Sequence, residues 1–392
     1  MEKIDSVQAI MSDFAKSTWL SGGKTAPRRY LWTDAFAVCN FLGLSLRTGE
    51  RRWQQQALDL VEQVHLELGR HRSDDERSGW ISGLSEQEGR SRPTQGGLRI
   101  GKPLNERRPG EPYDDRLEWD RDGQYYHYLT KWMHALDQLS RFCNDPAYSE
   151  WAVALAKAAH RGFVYTLPDG FRRMYWKMSI DLSYMLVPQM GQHDPLDGLI
   201  TYTQLQATAT ELAKAPVRRL DAEISEMAEI CREMTWETDD PLGIGGLLCD
   251  AFRVVQLMIK GRLQAVGLLN DILDAAHQGL AAFPVRRLLN LPAKDRLAFR
   301  ELGMAIGLHA LKKMNKVVKE AQDSPVGDAA VMGRIERLLP YSELGEKIEA
   351  FWLEPENRTA RSWTEHRDIN RVMLATSLLP DGYLELYPPR QG

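Results

Sequence analysis

A series of short polar or aromatic stretches along this 392-residue chain each contains an acid, most of them beside aromatic rings. They are Trp32-Thr33-Asp34, Trp119-Asp120-Arg121-Asp122 running on to Tyr125, Tyr126 and His127, Trp176 to Asp181, Trp236 to Asp240, Lys294-Asp295, and Trp363-Thr364-Glu365-His366-Arg367-Asp368. A carboxyl packed against indole loses hydration, and its pKa rises toward that of a useful proton donor. Asp120 or Asp122 is the first choice for an acid/base, because that stretch combines acids, aromatics and a histidine at one helix entrance. Asp34 and Glu365 are its candidate partners. Imidazole offers a second route, since its pKa lies near neutrality, and His127 and His366 are the residues for it. Trp32, Trp119, Tyr126, Trp176, Trp236 and Trp363 supply flat faces that suit the C–H faces of sugar rings, and Arg367 adds a cation. The plain alternative is that these acids cap helices and these rings fill the core.

Two kinds of helix must position these stretches. Tyr30 to Leu46 is apolar almost all round, as in a helix buried on every side. The next segment places Trp53, Ala57, Leu60, Val61, Val64 and Leu68 at helical spacing, which predicts a helix buried along one stripe. The alternation continues with buried-type segments at Tyr125 to Leu139, Tyr175 to Val187, Asp240-Pro241 to Met258, Leu297 to Val318 and Ile369 to Leu379. Amphipathic partners are expected after Asp145-Pro146, after Asp194-Pro195, over Ala265 to Ala282 and over Met332 to Trp352. Asp followed by Pro is a helix-start signal, the first as cap and the second in the first turn. The last buried-type segment has no partner after it, a place that the amphipathic helix at residues 4–17 can take. Six inner and six outer helices then account for nearly all of residues 1–392 as a single domain.

Residues 70–118 interrupt this rhythm after the first inner–outer pair. Gly79, Gly83, Gly89, Gly96-Gly97, Gly101, Pro103, Pro109, Gly110 and Pro112 break any helix there. Trp80, Ile81, Leu84, Leu98, Ile100 and Leu104 are apolar anchors, so an ordered flap is expected, either a lid or a passive cover. Arg99, Lys102, Arg107 and Arg108 would bring positive charge to it.

Alternating inner and outer helices with Trp/Asp-rich entrances resemble the six-hairpin glycosidase-like superfamily. That group includes α/α-toroid glycoside hydrolases, unsaturated-uronyl hydrolases and sugar isomerases of the N-acylglucosamine 2-epimerase type. The resemblance covers nearly the whole chain as architecture, without a motif that singles out one member. It implies an all-α (α/α)6 toroid whose entrance loops converge on an axial cavity. Its leading functional implication is glycoside hydrolysis by a carboxylate pair, one acid protonating the leaving oxygen and the other activating water or attacking the sugar. The alternatives are a sugar isomerase or epimerase using His127 and His366, and a non-catalytic scaffold holding a saccharide or peptide.

The bulk composition narrows the partners. A net charge of −4 gives no general attraction to nucleic acid or anionic lipid. Cys39, Cys143, Cys231 and Cys249 are scattered with no CxxC pair, so neither a metal site nor a cofactor is expected. Ser21-Gly22-Gly23-Lys24-Thr25 lacks the first glycine of a phosphate-binding loop, and Gly243-Ile244-Gly245-Gly246 lies in an apolar helical run where small residues permit close helix contact. No apolar run of membrane-spanning length stands out, and Met1-Glu2-Lys3-Ile4-Asp5 has no signal-peptide character. The expectation is a cytoplasmic protein acting on a small saccharide, of unassigned oligomeric state.

Overall fold

The computed structural model describes residues 2–20, 28–212, 219–321 and 324–386; the Ser21–Thr25 stretch lies outside the described residues. The fold is helical, and the chain divides into two compact units. One contains residues 15–45 and 50–234, the other residues 1–14, 46–49 and 235–392. The inner and outer helix types expected of an (α/α)6 toroid alternate within each.

In the first unit, every residue from Leu31 to Ser45 of the Leu31–Thr48 helix is buried. The Arg51–Leu68 helix buries the stripe Trp53, Ala57, Leu60, Val61, Val64 and Leu68. Tyr126–Cys143 packs against Pro146–Phe163 and Asp194–Leu212, and Asp194–Leu212 packs against Asp221–Cys231. Asp145 caps the Pro146 helix through a 3.0 Å bond from the Ala147 amide.

Tyr175 to Val187 is not the inner helix its aromatic content suggests. It forms two short antiparallel strands, Lys177–Met178 and Met185–Val187, with Gln124–Tyr125 paired to the first. Asp181 sits in the intervening turn, where it accepts from the Ser183 amide and the Ser179 and Ser183 hydroxyls. Such local side-chain bonding competes with helix, and Pro188 follows directly. The inner helix of this hairpin is instead Asp194–Leu212, fifteen of whose residues are buried.

The 70–118 insertion is ordered. Trp80, Ile81, Leu98 and Ile100 are buried, whereas Leu104, expected as an anchor, is 43% exposed. Its charges are largely paired: Arg99 bonds Asp122 at 2.8 Å and Glu67 at 3.1 Å, both outside the insertion, and Arg107 bonds Glu118 at 3.2 Å. Lys102 lies 5.5 Å from the centre of the Tyr30 ring.

In the second unit, Pro241–Ile259 packs against Ala298–Glu320 and Val266–Ala282, and Ala298–Glu320 packs against Glu343–Leu353 and Arg367–Leu378. The expected outer segment from Met332 to Trp352 is two helices, Ala329–Leu338 and Glu343–Leu353, parted by a 3-10 turn at Pro340. A Cβ on Gly245 would stand 2.1 Å from the Gly303 carbonyl oxygen, and one on Gly307 would stand 2.5 Å from that of Gly245. Backbone contact this close requires glycine. By length and hydropathy Pro241–Ile259 could cross a membrane, contrary to the sequence expectation. Here it is mostly buried protein core, and it carries the buried pair Asp250–Arg253 at 3.1 Å.

Candidate functional site

The candidate residues divide between the two units. Trp32, Asp34, Trp119, Asp120, Asp122, Tyr126, His127 and Trp176 belong to the first, and Trp236, Trp363, Glu365, His366 and Arg367 to the second.

Asp122 is fully buried, and its carboxylate is occupied. One oxygen accepts from Arg99 at 2.8 Å and Arg72 at 3.3 Å; the other accepts from the Gly101 and Gly123 amides at 3.0 and 3.1 Å. Four donors, two of them from the insertion's guanidiniums, make this carboxylate a clamp that holds residues 70–118 to the main body. Asp34 does local work as well, accepting from the Tyr30 amide at 2.9 Å and Arg29 at 3.5 Å. Asp120 is exposed at the end of the short Asp115–Asp120 helix. Glu365 is exposed and pairs with Arg361 at 2.6 Å, one helical turn away. His366 is exposed, edge-on to Phe299. Tyr126 is a core residue whose hydroxyl donates to Tyr202 at 2.9 Å, and Trp32 and Trp236 are buried.

The first turn of the Tyr126–Cys143 helix is different. Pairing of Gln124–Tyr125 with Lys177–Met178 carries Trp176 beside this helix start. Trp176 stacks on His127 with ring centroids 6.4 Å apart and planes at 16°, and Trp119 meets Trp176 edge-on at 5.9 Å. Tyr125 and Tyr128 complete the aromatic wall, the latter bonded through its hydroxyl to that of Tyr30 at 2.7 Å. Trp119 is 53% exposed, so this wall opens to solvent.

Opposite His127 stands the first turn of Asp194–Leu212. The two helices approach closely because residue 198 is glycine; a Cβ there would lie 2.4 Å from the Tyr126 hydroxyl. This brings Asp194 and Asp197, three residues apart on one helical face, against His127, Thr130 and Lys131. Asp197 is held by Lys131 at 2.8 Å and Thr130 at 2.5 Å. Asp194 has no such clamp. Its carboxyl oxygen lies 3.8 Å from His127 Nδ1, beyond hydrogen-bond reach. Its second oxygen and that same Nδ1 are buried without a hydrogen-bond partner among the described residues. The Asp194 side chain is 7% exposed and that of His127 30%.

The electrostatics separate these groups. Burial, with the neighbouring Asp197 charge, pushes the Asp194 carboxyl up to about 7, against a smaller lowering by Lys131. Burial, helped by the Lys131 cation, lowers His127 to about 4. Near neutrality a neutral imidazole therefore faces a carboxyl that still holds its proton much of the time. Groups with such shifts around one opening are characteristic of proton-transfer sites.

Of the residues singled out from sequence, His127, Trp119 and Trp176 come together here, with Trp32 behind Tyr128 at 6.5 Å. Sequence reasoning missed Asp194, Asp197 and Lys131. Asp194-Pro195 carried a signal, but as the start of an outer helix it pointed to capping. Among the described residues no cluster of His, Cys, Asp or Glu has the form of a metal site.

No family model and no curated protein sequence matches this chain. Among solved structures it is similar to a sugar epimerase from a ruminal bacterium. The identity is 9% and the TM-score 0.47, over 95% of this chain and 98% of the other, a likeness too loose to argue from.

Proposed function

We propose that this protein is a sugar isomerase or epimerase that transfers a proton at the carbon beside a carbonyl of a small saccharide. The observation that carries this reading is the facing pair His127 and Asp194, with pKa values moved to about 4 and about 7 and a 3.8 Å gap between them. Neutral His127 accepts the proton from the carbon beside the carbonyl. The electron pair released forms the carbon–carbon double bond, and the carbonyl oxygen takes the proton of Asp194. The His127 imidazolium gives its proton to the neighbouring carbon of this enediol, and the hydroxyl on the first carbon becomes the new carbonyl as its proton returns to Asp194, which completes isomerisation. Epimerisation instead requires the sugar to present the opposite face of the same enediol to His127. Trp119 and Trp176 offer the ring faces against which a sugar rests. The hydrolytic reading has less support, because Asp122 and Asp34 are engaged in structural bonds and Asp120 and Glu365 sit exposed.

The test is proton NMR in deuterated buffer with a panel of reducing mono- and disaccharides and their non-reducing glycosides. Exchange of the proton beside the carbonyl is expected for at least one reducing sugar. Its rate should fall about 100-fold or more in His127→Asn and Asp194→Asn. Cleavage of a glycoside without exchange would move the assignment to hydrolysis. No change in any sugar would overturn the enzymatic reading and favour a saccharide-binding scaffold.

A further inference from the structure

The second unit holds a cavity of about 420 Å³ whose lining includes Ser6, Asp13, Arg358, Trp363, Arg367 and Arg371. A volume of this order suits a small metabolite. Three guanidiniums line it against one carboxylate, that of Asp13. Arg371 lies 3.7 Å from Asp368 in the first turn of its own helix. Arg358 donates to the Leu353 carbonyl at 3.1 Å, and its Nε is buried with no partner among the described residues. Neither Arg358 nor Arg367 pairs with a carboxylate among the described residues. Trp363 is held in the wall by stacking on Trp352 at 5.4 Å, and Trp352 is anchored by its 2.9 Å bond to Glu301.

Arg367 and Arg371 stand one turn apart at the start of the Arg367–Leu378 helix, where the helix dipole also favours negative charge. Guanidiniums gathered around a concave surface, Arg358 and Arg371 half-buried and Arg367 exposed, suit an anion. Their planar donor forks match the oxygens of phosphate. Asp368 offsets Arg371, so Arg358 and Arg367 are the cations that meet no carboxylate among the described residues, and a tetrahedral oxyanion has oxygens enough to meet both donor forks.

We propose that this cavity binds an oxyanion of the phosphate type, either inorganic phosphate or a phosphomonoester of a small metabolite. The proposal does not depend on the proton-transfer reading, because binding is measured without turnover. The experiment titrates the full chain with inorganic phosphate and with glycerol 3-phosphate at constant ionic strength, using sodium chloride as the blank. Tryptophan fluorescence and the thermal midpoint are read together. A saturable response is expected, weakened about tenfold or more in Arg367→Gln. Arg361→Gln, outside the lining, should leave it unchanged. Tighter binding of glycerol 3-phosphate would assign the remaining volume to the organic part of an ester, and the reverse order would assign free phosphate. A response no larger than that to chloride would overturn the proposal, as would one equal in Arg367→Gln and the unsubstituted protein. The Arg367 side chain makes no hydrogen bond or ion pair among the described residues, so loss of binding in its variant would not be a folding defect; equal thermal midpoints without phosphate would verify this.

Discussion

His127 Nδ1 and the nearer Asp194 carboxyl oxygen stand 3.8 Å apart, each on the first turn of a different buried helix. The gap is too long for a hydrogen bond, so neither group is tied up by the other. Burial lowers the pKa of one group and raises that of the other, so both are neutral over the same pH range.

Activity should therefore follow a bell. The acid limb reports protonation of His127 near about 4, and the alkaline limb reports loss of the Asp194 proton near about 7. The rate of solvent-deuterium exchange against pH checks this, and a rate still rising above pH 8 would contradict it. In Asp194→Asn the alkaline limb should disappear from whatever rate remains.

Stability should respond to Asp194→Asn in a pH-dependent way. The carboxyl is raised from 3.8 to about 7, so ionisation costs the folded state more than the unfolded one. That cost is absent below the unfolded pKa, grows between about pH 4 and pH 7, and is constant above the folded value. The thermal midpoint of the Asn variant relative to the unsubstituted protein should rise across this window. A flat difference from pH 4 to pH 8 would remove the electrostatic basis of the site.

Asp122→Ala should behave as a structural lesion. It leaves the buried cation of Arg99 without its closest carboxylate and frees the Gly101 and Gly123 amides. Breaking such a buried pair costs about 3–5 kcal/mol. Urea unfolding should register that loss, and limited proteolysis should find new cleavage within residues 70–118. Unchanged stability with lost activity would instead restore Asp122 as a catalytic acid.

Gly245→Ala tests the tightest helix contact of the second unit. The added methyl would meet the Gly303 carbonyl at 2.1 Å, and backbone on both sides leaves no flexible neighbour to yield. Overpacking of this kind costs about 1–3 kcal/mol. Gly246→Ala, whose Cβ would meet nothing within 4 Å, is the matched control and should be neutral or slightly stabilising. Equal midpoints in denaturant for the two variants would refute the contact.

Hydrophobic periodicity along the chain is enough to separate the fully buried Leu31–Thr48 helix from the striped Arg51–Leu68 helix, because each pattern reflects how many faces of a cylinder meet other protein. Asp145-Pro146 and Asp240-Pro241 mark real helix starts, since capping is settled within a few residues. Tyr175 to Val187 resisted this reading: its aromatic content suits helix or strand alike, and pairing with Gln124–Tyr125 decides for strand. The same limit hid the site. Asp122 and Asp194 are both acids near helix starts, and nothing local separates them. Only the packed chain surrounds Asp122 with four donors while leaving one oxygen of Asp194 buried and unbonded, because desolvation and charge pairing are set by residues distant in sequence.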